Sequence, residues 1–259
     1  MAVSRAQGAC HMKIHFLGTN GWYNTATGET SCVLIDAEEM YIILDAGNGF
    51  RKLDTLITNK KKPIYLFLSH FHLDHTYGFH MMPKMKWPQG ITIIGQHGTE
   101  KALGQLIAKP WTCPIDQLTT KIRFSETTPG KHHGVLTYEC AFLVHADPCL
   151  GYRITVDGKV ITYLTDTGVC DAMEPLAHNA DLLITECAWR VQNQFPGWPH
   201  LAPEDGATIA RDAHAKMLAL MHFDAHGYPT MAERVDAEQR AKAIFPNTRA
   251  MHDDDVITL

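Results

Sequence analysis

Residues 69–75, with the sequence SHFHLDH, place three histidines and one aspartate within a single short stretch of the chain. Imidazole nitrogen and carboxylate oxygen are ligands that suit zinc, iron or manganese. Because His70 and His72 are two residues apart, one ion can bind both of them. Asp74 and His75 follow in the next turn and can bind a second ion. The stretch therefore predicts a metal site that takes one or two ions.

The residues before this stretch predict how it is positioned. Residues 64–68 are apolar and rich in strand-forming side chains, which is typical of a buried β-strand. The histidines then lie in the loop at the carboxyl end of that strand, where open α/β sheets place their ligand sites.

The order H-x-H-x-D-H resembles the signature of the metallo-β-lactamase superfamily. This resemblance implies an α/β fold, specifically a four-layer αββα sandwich in which two facing β-sheets carry helices on both outer faces. It also implies a site for one or two metal ions at one edge of the sandwich. The signature does not set a substrate, because one fold can host many chemistries.

Three further residues lie at the ends of predicted strands. His145 ends the apolar residues 141–144, Asp166 follows residues 160–164, and His222 follows residues 218–221. Their order and setting resemble the remaining metal ligands of ribonuclease Z-like members. The resemblance implies two divalent ions, with zinc favoured over manganese or iron. It assigns one ion to His70, His72 and His145, the other to Asp74, His75 and His222, and a bridging role to Asp166.

A carboxylate and a histidine in the last third of the chain resemble the proton-donating pair of ribonuclease Z and related phosphodiesterases. Glu186 ends the predicted strand 182–186, and His200 lies 14 residues later. An alkoxide leaving group needs a proton, and a carboxylate partner keeps an imidazole protonated near neutral pH. We therefore predict Glu186 and His200 as catalytic residues together with Asp74. Asp205 is the alternative partner for His200.

The rest of the chain is predicted to alternate strands and helices. Strands are expected at 13–17, 31–37, 40–46, 64–68, 91–95, 121–125, 135–144, 151–156, 159–165, 182–186 and 218–221. Helices are expected at 50–58, 99–108, 172–178, 203–215 and 230–244, the last with a capping box. Residues 125–134 are predicted as a polar loop, and residues 250–259 as a terminal strand or acidic cap. No linker divides the chain, so residues 1–259 are predicted as one domain, with residues 1–12 as a disordered extension.

Composition excludes several classes of protein. Apolar residues make up 45% of the chain and charged residues 20%, as in an ordinary globular protein. No apolar run approaches the roughly 18–20 residues of a membrane span. The net charge of −5 argues against a broadly basic nucleic-acid surface. Seven cysteines without a C-x-x-C pair or a secretion signal predict reduced thiols and a cytoplasmic location.

The predicted activity is metal-assisted hydrolysis of a small or cyclic phosphodiester, with His200 protonating the leaving group. The segment between His75 and His145 is occupied by predicted strands and a helix, leaving no equivalent of the long arm with which ribonuclease Z grips transfer RNA. A ribonuclease Z-like RNA endonuclease, a thioester, lactone or lactam hydrolase, and a di-iron redox enzyme remain alternatives. A homodimer is common in the superfamily. Candidate pocket walls are Trp22, Tyr23, Trp87, Trp111, Trp189 and Trp198.

Overall fold

Strands and short helices alternate through the first half of the chain. The computed structural model describes residues 12–192 and 197–259. The strands of the first half are β1 (Lys13–Gly18), β2 (Asn20–Gly21), β3 (Cys32–Asp36), β4 (Tyr41–Leu44), β5 (Ile64–Phe67), β6 (Ile91–Gly95) and β7 (Ile122–Glu126). The helices are α1 (Leu53–Leu56), α2 (Leu73–Thr76) and α3 (Thr99–Leu106), with 3₁₀ segments at Asn48–Lys52, Tyr77–Lys84 and Ile115–Gln117.

The second half repeats this alternation with longer helices. Its strands are β8 (Gly130–His132), β9 (Thr137–Leu143), β10 (Cys149–Val156), β11 (Lys159–Leu164), β12 (Leu182–Glu186), β13 (Leu218–Met221), β14 (Phe223–Asp224), β15 (Thr248–Ala250) and β16 (Val256–Thr258). Its helices are α4 (Met173–Ala177), α5 (Pro203–Asp212) and α6 (Met231–Lys242).

These strands form two seven-stranded sheets, in the orders β16-β1-β3-β4-β5-β6-β7 and β15-β13-β12-β11-β10-β9-β8. Strands β4 to β7 are parallel to one another, as are β11, β12, β13 and β15. Short strands β2 and β14 pair in parallel and link the two halves of the chain. The candidate site residues predicted from the sequence lie at or after the carboxyl ends of β5, β9, β11, β12 and β13.

Three apolar clusters arrange the sheets and helices in four layers. One cluster takes side chains from both sheets, such as Phe16 and Phe67 from the first and Tyr152 from the second, and lies between them. A second packs α4, α5 and α6 against the second sheet. The third packs α1 and α3 against the first sheet, with Trp87 buried in it. The predicted αββα sandwich is thus confirmed.

The structure departs from the expected elements where the sequence pattern is weak or short. The helix expected at 50–58 is a 3₁₀ segment, Asn48–Lys52, followed by only four α-helical residues. The polar loop expected at 125–134 contains β8, an exposed edge strand that lacks apolar alternation. Strands β2 and β14 span two residues each, too few for a periodic signal.

The two ends of the described chain are hydrogen-bonded to each other. Met12 is buried, and its carbonyl accepts a hydrogen bond from the Leu259 N–H at 3.0 Å. Met12 is therefore part of the core and not of the predicted extension, whose residues 1–11 lie outside the described residues. The tail ends in β16, which pairs with β1, as the strand alternative predicted. No helix in the described part of the chain is long and apolar enough to cross a membrane.

Candidate metal centre and active-site cleft

The loop after β5 turns at once into a short helix and brings its histidines close together. The ring of His70 is fully buried, and His72 immediately precedes α2. The ring centroids of His70 and His72 are 4.4 Å apart, and those of His70 and His75 are 4.3 Å apart. The strand end and the first turn of α2 thus gather Asp74 and the three histidines at one point.

A first cluster joins this loop to the ends of β9 and β11. His70, His72, His145 and Asp166 each offer a ligand atom, and these atoms lie within 4.8 Å of one another. The Nδ1 atom of His72 lies 3.4 Å from His145 Nε2. The other ring nitrogen of His72 is hydrogen-bonded to the Asp147 carboxylate at 2.9 Å. That contact sets which nitrogen of His72 faces the cluster.

A second cluster consists of Asp74, His75 and His222, whose ligand atoms also lie within 4.8 Å of one another. The Nε2 atoms of His75 and His222 are 3.1 Å apart. Asp74 Oδ2 lies 3.2 Å from His222 Nε2. His222 comes from the end of β13, so this cluster also joins the two sheets.

Asp166 lies between the two clusters, and its two oxygens face different ones. Its Oδ2 is 3.7 Å from the Nε2 atoms of both His70 and His145. Its Oδ1 is 3.2 Å from the Nε2 atoms of both His75 and His222. This is the geometry expected of a carboxylate that bridges two cations.

The clusters fit a pair of divalent cations. His70 Nε2 is buried, points toward Asp166, and has no hydrogen-bond partner among the described residues. The Nε2 atoms of His75 and His222 are 3.1 Å apart and each lies 3.2 Å from Asp166 Oδ1, so these three donor atoms converge on one point. Nitrogen and carboxylate donors in this number match the preferences of zinc and other divalent transition metals.

The charges around Asp74 and Asp166 keep these two carboxylates ionised, which is the form that binds a cation. Burial raises the pKa of Asp166, but the histidines, first His222 and then His75, outweigh it and hold that pKa well below its usual range. Burial acts in the same way on Asp74, and His75 and His222 again hold its pKa well below the usual range. Burial, reinforced by the neighbouring His75, lowers the pKa of His70, so its imidazole is neutral. Both aspartates are therefore ionised at neutral pH.

Asp45, at the end of β4, is a site residue that the sequence analysis missed. It is fully buried. Its Oδ2 accepts hydrogen bonds from Ser69 Oγ and Tyr163 OH at 2.8 Å and contacts His75 Nδ1 at 2.7 Å. Its Oδ1 accepts the Ser69 N–H. The Asp45 side chain thus orients His75 so that Nε2 faces the second cluster. The signal was present, since an aspartate ends an apolar strand just before Ala46-Gly47.

The backbone turns sharply where the strands deliver their site residues. Asp45, Asp166 and His222 all have left-handed φ angles, between 45° and 57°. Non-glycine residues seldom adopt this conformation, which is concentrated at functional sites. Beside His222, Gly21 leaves room for the ring: a Cβ atom there would lie 2.5 Å from His222 Cε1. The close pairing of β2 and β14 thus requires glycine at this position.

The predicted carboxylate–histidine pair is formed. His200 Nδ1 lies 2.8 Å from both oxygens of Glu186, and both side chains are buried. Glu186 also accepts the N–H groups of Thr167 and Ala188 at 2.5 and 3.2 Å. His200 offers a ligand atom within 4.8 Å of those of Asp166 and His222, so the pair lies next to both clusters.

Asp205 is not the partner of His200. Its carboxylate instead accepts the Ala202 N–H at 2.9 Å and a hydrogen bond from Gln192 at 2.5 Å, which caps the start of α5. The alternative considered from sequence is therefore wrong. A helix cap needs its aspartate beside the first turn of α5.

A cleft of about 900 Å³ opens above the clusters. Its lining includes His72, Asp74, Asp166, His200 and His222. Of the aromatic residues considered as pocket walls, Trp22, Trp189 and Trp198 line this cleft. Tyr23 lines a smaller pocket, Trp111 lines a groove over α3, and Trp87 is buried in the core. His200 and at least one candidate ligand from each cluster thus line the same cleft.

Known proteins resemble the chain over most of its length. The family model for the beta-lactamase superfamily domain matches residues 40–223. Ribonuclease Z of Thermosynechococcus vestitus is 27% identical, over 93% of this chain and 74% of that protein. The probable metallo-hydrolase YhfI of Bacillus subtilis is 25% identical, over 90% of this chain and 94% of that protein.

Solved structures share the fold. The crystal structure of YhfI has a TM-score of 0.79 at 22% identity, and the match covers 96% of this chain and 100% of that one. The crystal structure of a diphosphatase from the PhnP family has a TM-score of 0.72 at 15% identity, over 95% of this chain and 97% of that one.

The chain belongs to the metallo-β-lactamase superfamily, whose family model covers most of it. This is a family of metal-dependent hydrolases, which implies that the protein binds divalent metal ions.

Proposed function

We propose that this protein is a phosphodiesterase that uses two divalent ions, preferentially zinc, to hydrolyse a small or cyclic phosphodiester. The observation that carries the proposal is the buried Glu186–His200 pair, which opens into the same cleft as the two ligand clusters. A proton donor next to such a centre is of most use when the leaving group is a strongly basic alkoxide.

The proposed ligands divide the two ions between the clusters. His70, His72 and His145 would hold one ion and Asp74, His75 and His222 the other, with Asp166 available to both. When bound, the ions supply an activated water and neutralise negative charge on the phosphoryl oxygens. Nitrogen-rich donor sets of this kind favour zinc over magnesium or calcium, which prefer oxygen.

His200 is the proposed general acid. Burial disfavours its charged form, but the Glu186 carboxylate outweighs burial and raises the pKa of His200 to about 9. The ring therefore carries a proton at neutral pH. Because Nδ1 is engaged by Glu186, the proton that reaches the leaving oxygen comes from Nε2. A thiolate has a free pKa of about 8.5 and leaves without such help, which supports an oxygen ester over a thioester.

The charge around the cleft supports a small substrate. Of the described residues that line it, Arg190 and Arg240 are the arginines, and no lysine is among them. Arg240 is paired with Glu204 at 2.7 Å. A long RNA needs many phosphate contacts, for which this lining offers few free cations. The similarity to a ribonuclease Z keeps an RNA endonuclease as the second candidate.

A substrate panel tests the proposal. The zinc-loaded protein is assayed with nucleoside cyclic phosphates, bis(p-nitrophenyl) phosphate, a thioester, a lactam and an RNA with a 3′ extension. We expect the highest kcat/KM for a small phosphodiester, and loss of that activity in Asp166→Ala. A higher kcat/KM for the thioester or lactam would refute the proposal, and a higher value for the RNA would favour the second candidate.

A further inference from the structure

Two tryptophans lie at the opening of the cleft with much of their surface in water. Trp22 is 67% exposed and Trp198 is 47% exposed, although both line the same cleft as the ligand clusters. Large aromatic side chains bury apolar surface when a partner is available. Their position in the cleft, and not their exposure alone, makes these two indoles available to contact a ligand there.

The backbone of Trp22 is held in an unfavourable conformation next to the second cluster. Its φ angle is +70°, in the left-handed region that bulky residues rarely adopt. Its N–H donates to Asp74 Oδ2 at 2.8 Å. This contact ties the Trp22 backbone to a candidate ligand. Tyr23 packs edge-on against the indole, with ring centroids 5.0 Å apart.

Trp198 is fixed beside the first cluster. Its ring lies parallel to that of His72, with centroids 5.4 Å apart and an interplanar angle of 6°. It also meets His145 edge-on at 5.5 Å. Trp22 thus lies beside the second cluster and Trp198 beside the first, and both line the cleft above the clusters.

We propose that Trp22 and Trp198 form an aromatic subsite that stacks on the base of a nucleoside phosphodiester whose phosphate lies at the ligand clusters. This inference rests on the proposed phosphodiesterase function and names its substrate class. Stacking of a base on an aromatic side chain is tolerant of base identity and contributes roughly ten- to hundredfold in affinity. The subsite therefore selects for the presence of a base more than for which base it is.

Two substrates with the same leaving group isolate the contribution of the base. They are thymidine 5′-(p-nitrophenyl phosphate) and methyl p-nitrophenyl phosphate, which differ in the nucleoside but both release p-nitrophenolate. We expect the wild-type kcat/KM to favour the thymidine ester by at least about tenfold. Trp22→Ala and Trp198→Ala should each lower this preference severalfold or more, whereas Trp198→Phe should keep most of it because the aromatic face remains.

The matched control is Trp111→Ala, since Trp111 is 74% exposed but lines a different groove. The preference of Trp111→Ala for the thymidine ester over the methyl ester should equal that of the wild type. The measured quantity is a ratio of two rates on one protein, so a general loss of activity in a variant cancels. A wild-type preference near one, or an unchanged preference in both alanine variants, would overturn the subsite and leave the phosphodiesterase proposal standing. Failure to hydrolyse either ester would overturn both.

Discussion

At the scale of single residues, the candidate site depends on which ring nitrogen of each histidine contacts a supporting carboxylate. Asp45 holds His75 by Nδ1, Asp147 holds His72 by Nε2, and Glu186 holds His200 by Nδ1. In each case a carboxylate contacts one ring nitrogen and leaves the other to face the ligand clusters. Different chemistry is proposed for otherwise similar imidazoles, because His72 and His75 lie within the ligand clusters, whereas His200 is held by both oxygens of Glu186 and is proposed to carry a proton.

Replacing His200 by alanine should produce a loss that depends on the leaving group. Hydrolysis of a diester with an alkoxide leaving group should slow by roughly 10²–10⁴-fold, because general acid catalysis contributes about that much. A p-nitrophenyl diester should slow far less, because p-nitrophenolate leaves without a proton. Steady-state kcat/KM for the two substrates measures the difference.

His97→Ala is the matched control for this variant, since the His97 side chain is 96% exposed and contacts Glu126. It should retain wild-type rates with both substrates. If His200→Ala lowered kcat/KM equally for both substrates, His200 would not be the proton donor.

Replacing Glu186 by glutamine should shift the pH–rate profile. A general acid works while it is protonated, so the rate falls as pH rises through the pKa of His200. Burial disfavours the imidazolium, and Glu186 outweighs burial to raise that pKa to about 9. Without the negative charge the pKa falls, and the decline in kcat should begin at lower pH. An unchanged basic limb in a kcat–pH profile would contradict this assignment.

At the scale of elements, strand ends and short strand pairs set the geometry. The loop of residues 19–30 closes over His222 through the pairing of β2 with β14. The buried Arg234 of α6 is hydrogen-bonded to the start of that loop. Its guanidinium donates to Thr19 Oγ1 at 2.8 Å and also to Asn20 Oδ1. The same guanidinium lies 4.6 Å above the ring of Phe223. A distant helix thus fixes the position of the residues beside the second cluster.

Gly21→Ala should damage the second cluster. Its Cβ atom would lie 2.5 Å from His222 Cε1 and 2.7 Å from Nδ1, so the ring must move. We expect roughly a tenfold or greater loss of metal affinity at one of the two ions, measured by competition with a chromophoric chelator. The control is Gly104→Ala in α3, where a Cβ meets nothing within 4 Å. Gly104→Ala should not change the metal affinity, and it should stabilise the helix by up to about 1 kcal/mol. Wild-type metal affinity in Gly21→Ala would show that the close contact is unimportant.

At the scale of the whole molecule, the candidate centre lies where the two sheets meet. His70, His72, Asp74 and His75 follow β5 of the first sheet, whereas His145, Asp166 and His222 follow strands of the second. Each cluster combines ligands from both sheets. Bound ions would therefore connect the two halves of the sandwich, and their removal would leave like-charged and unpaired polar groups buried together.

Metal removal should lower the thermal stability of the protein. A ligand that binds only the folded state at about 1,000 times its Kd stabilises that state by about 4 kcal/mol. For a chain of this size that corresponds to roughly 10 °C in Tm. Differential scanning fluorimetry with excess EDTA, and with EDTA already saturated with zinc as the control, measures the shift. An identical Tm in both conditions would contradict the expectation that the ions link the two halves.

The sequence by itself predicted the superfamily, the αββα sandwich that this resemblance implies, and the candidate site residues other than Asp45. It did so because H-x-H-x-D-H is contiguous and because apolar runs show where each strand ends. Only the tertiary structure decided that the oxygens of Asp166 face different clusters, that Glu186 and not Asp205 contacts His200, and that Asp45 orients His75. These relations join strands from opposite sheets or residues far apart in the chain. Local periodicity carries no information about them, because they arise only when the two sheets pack face to face.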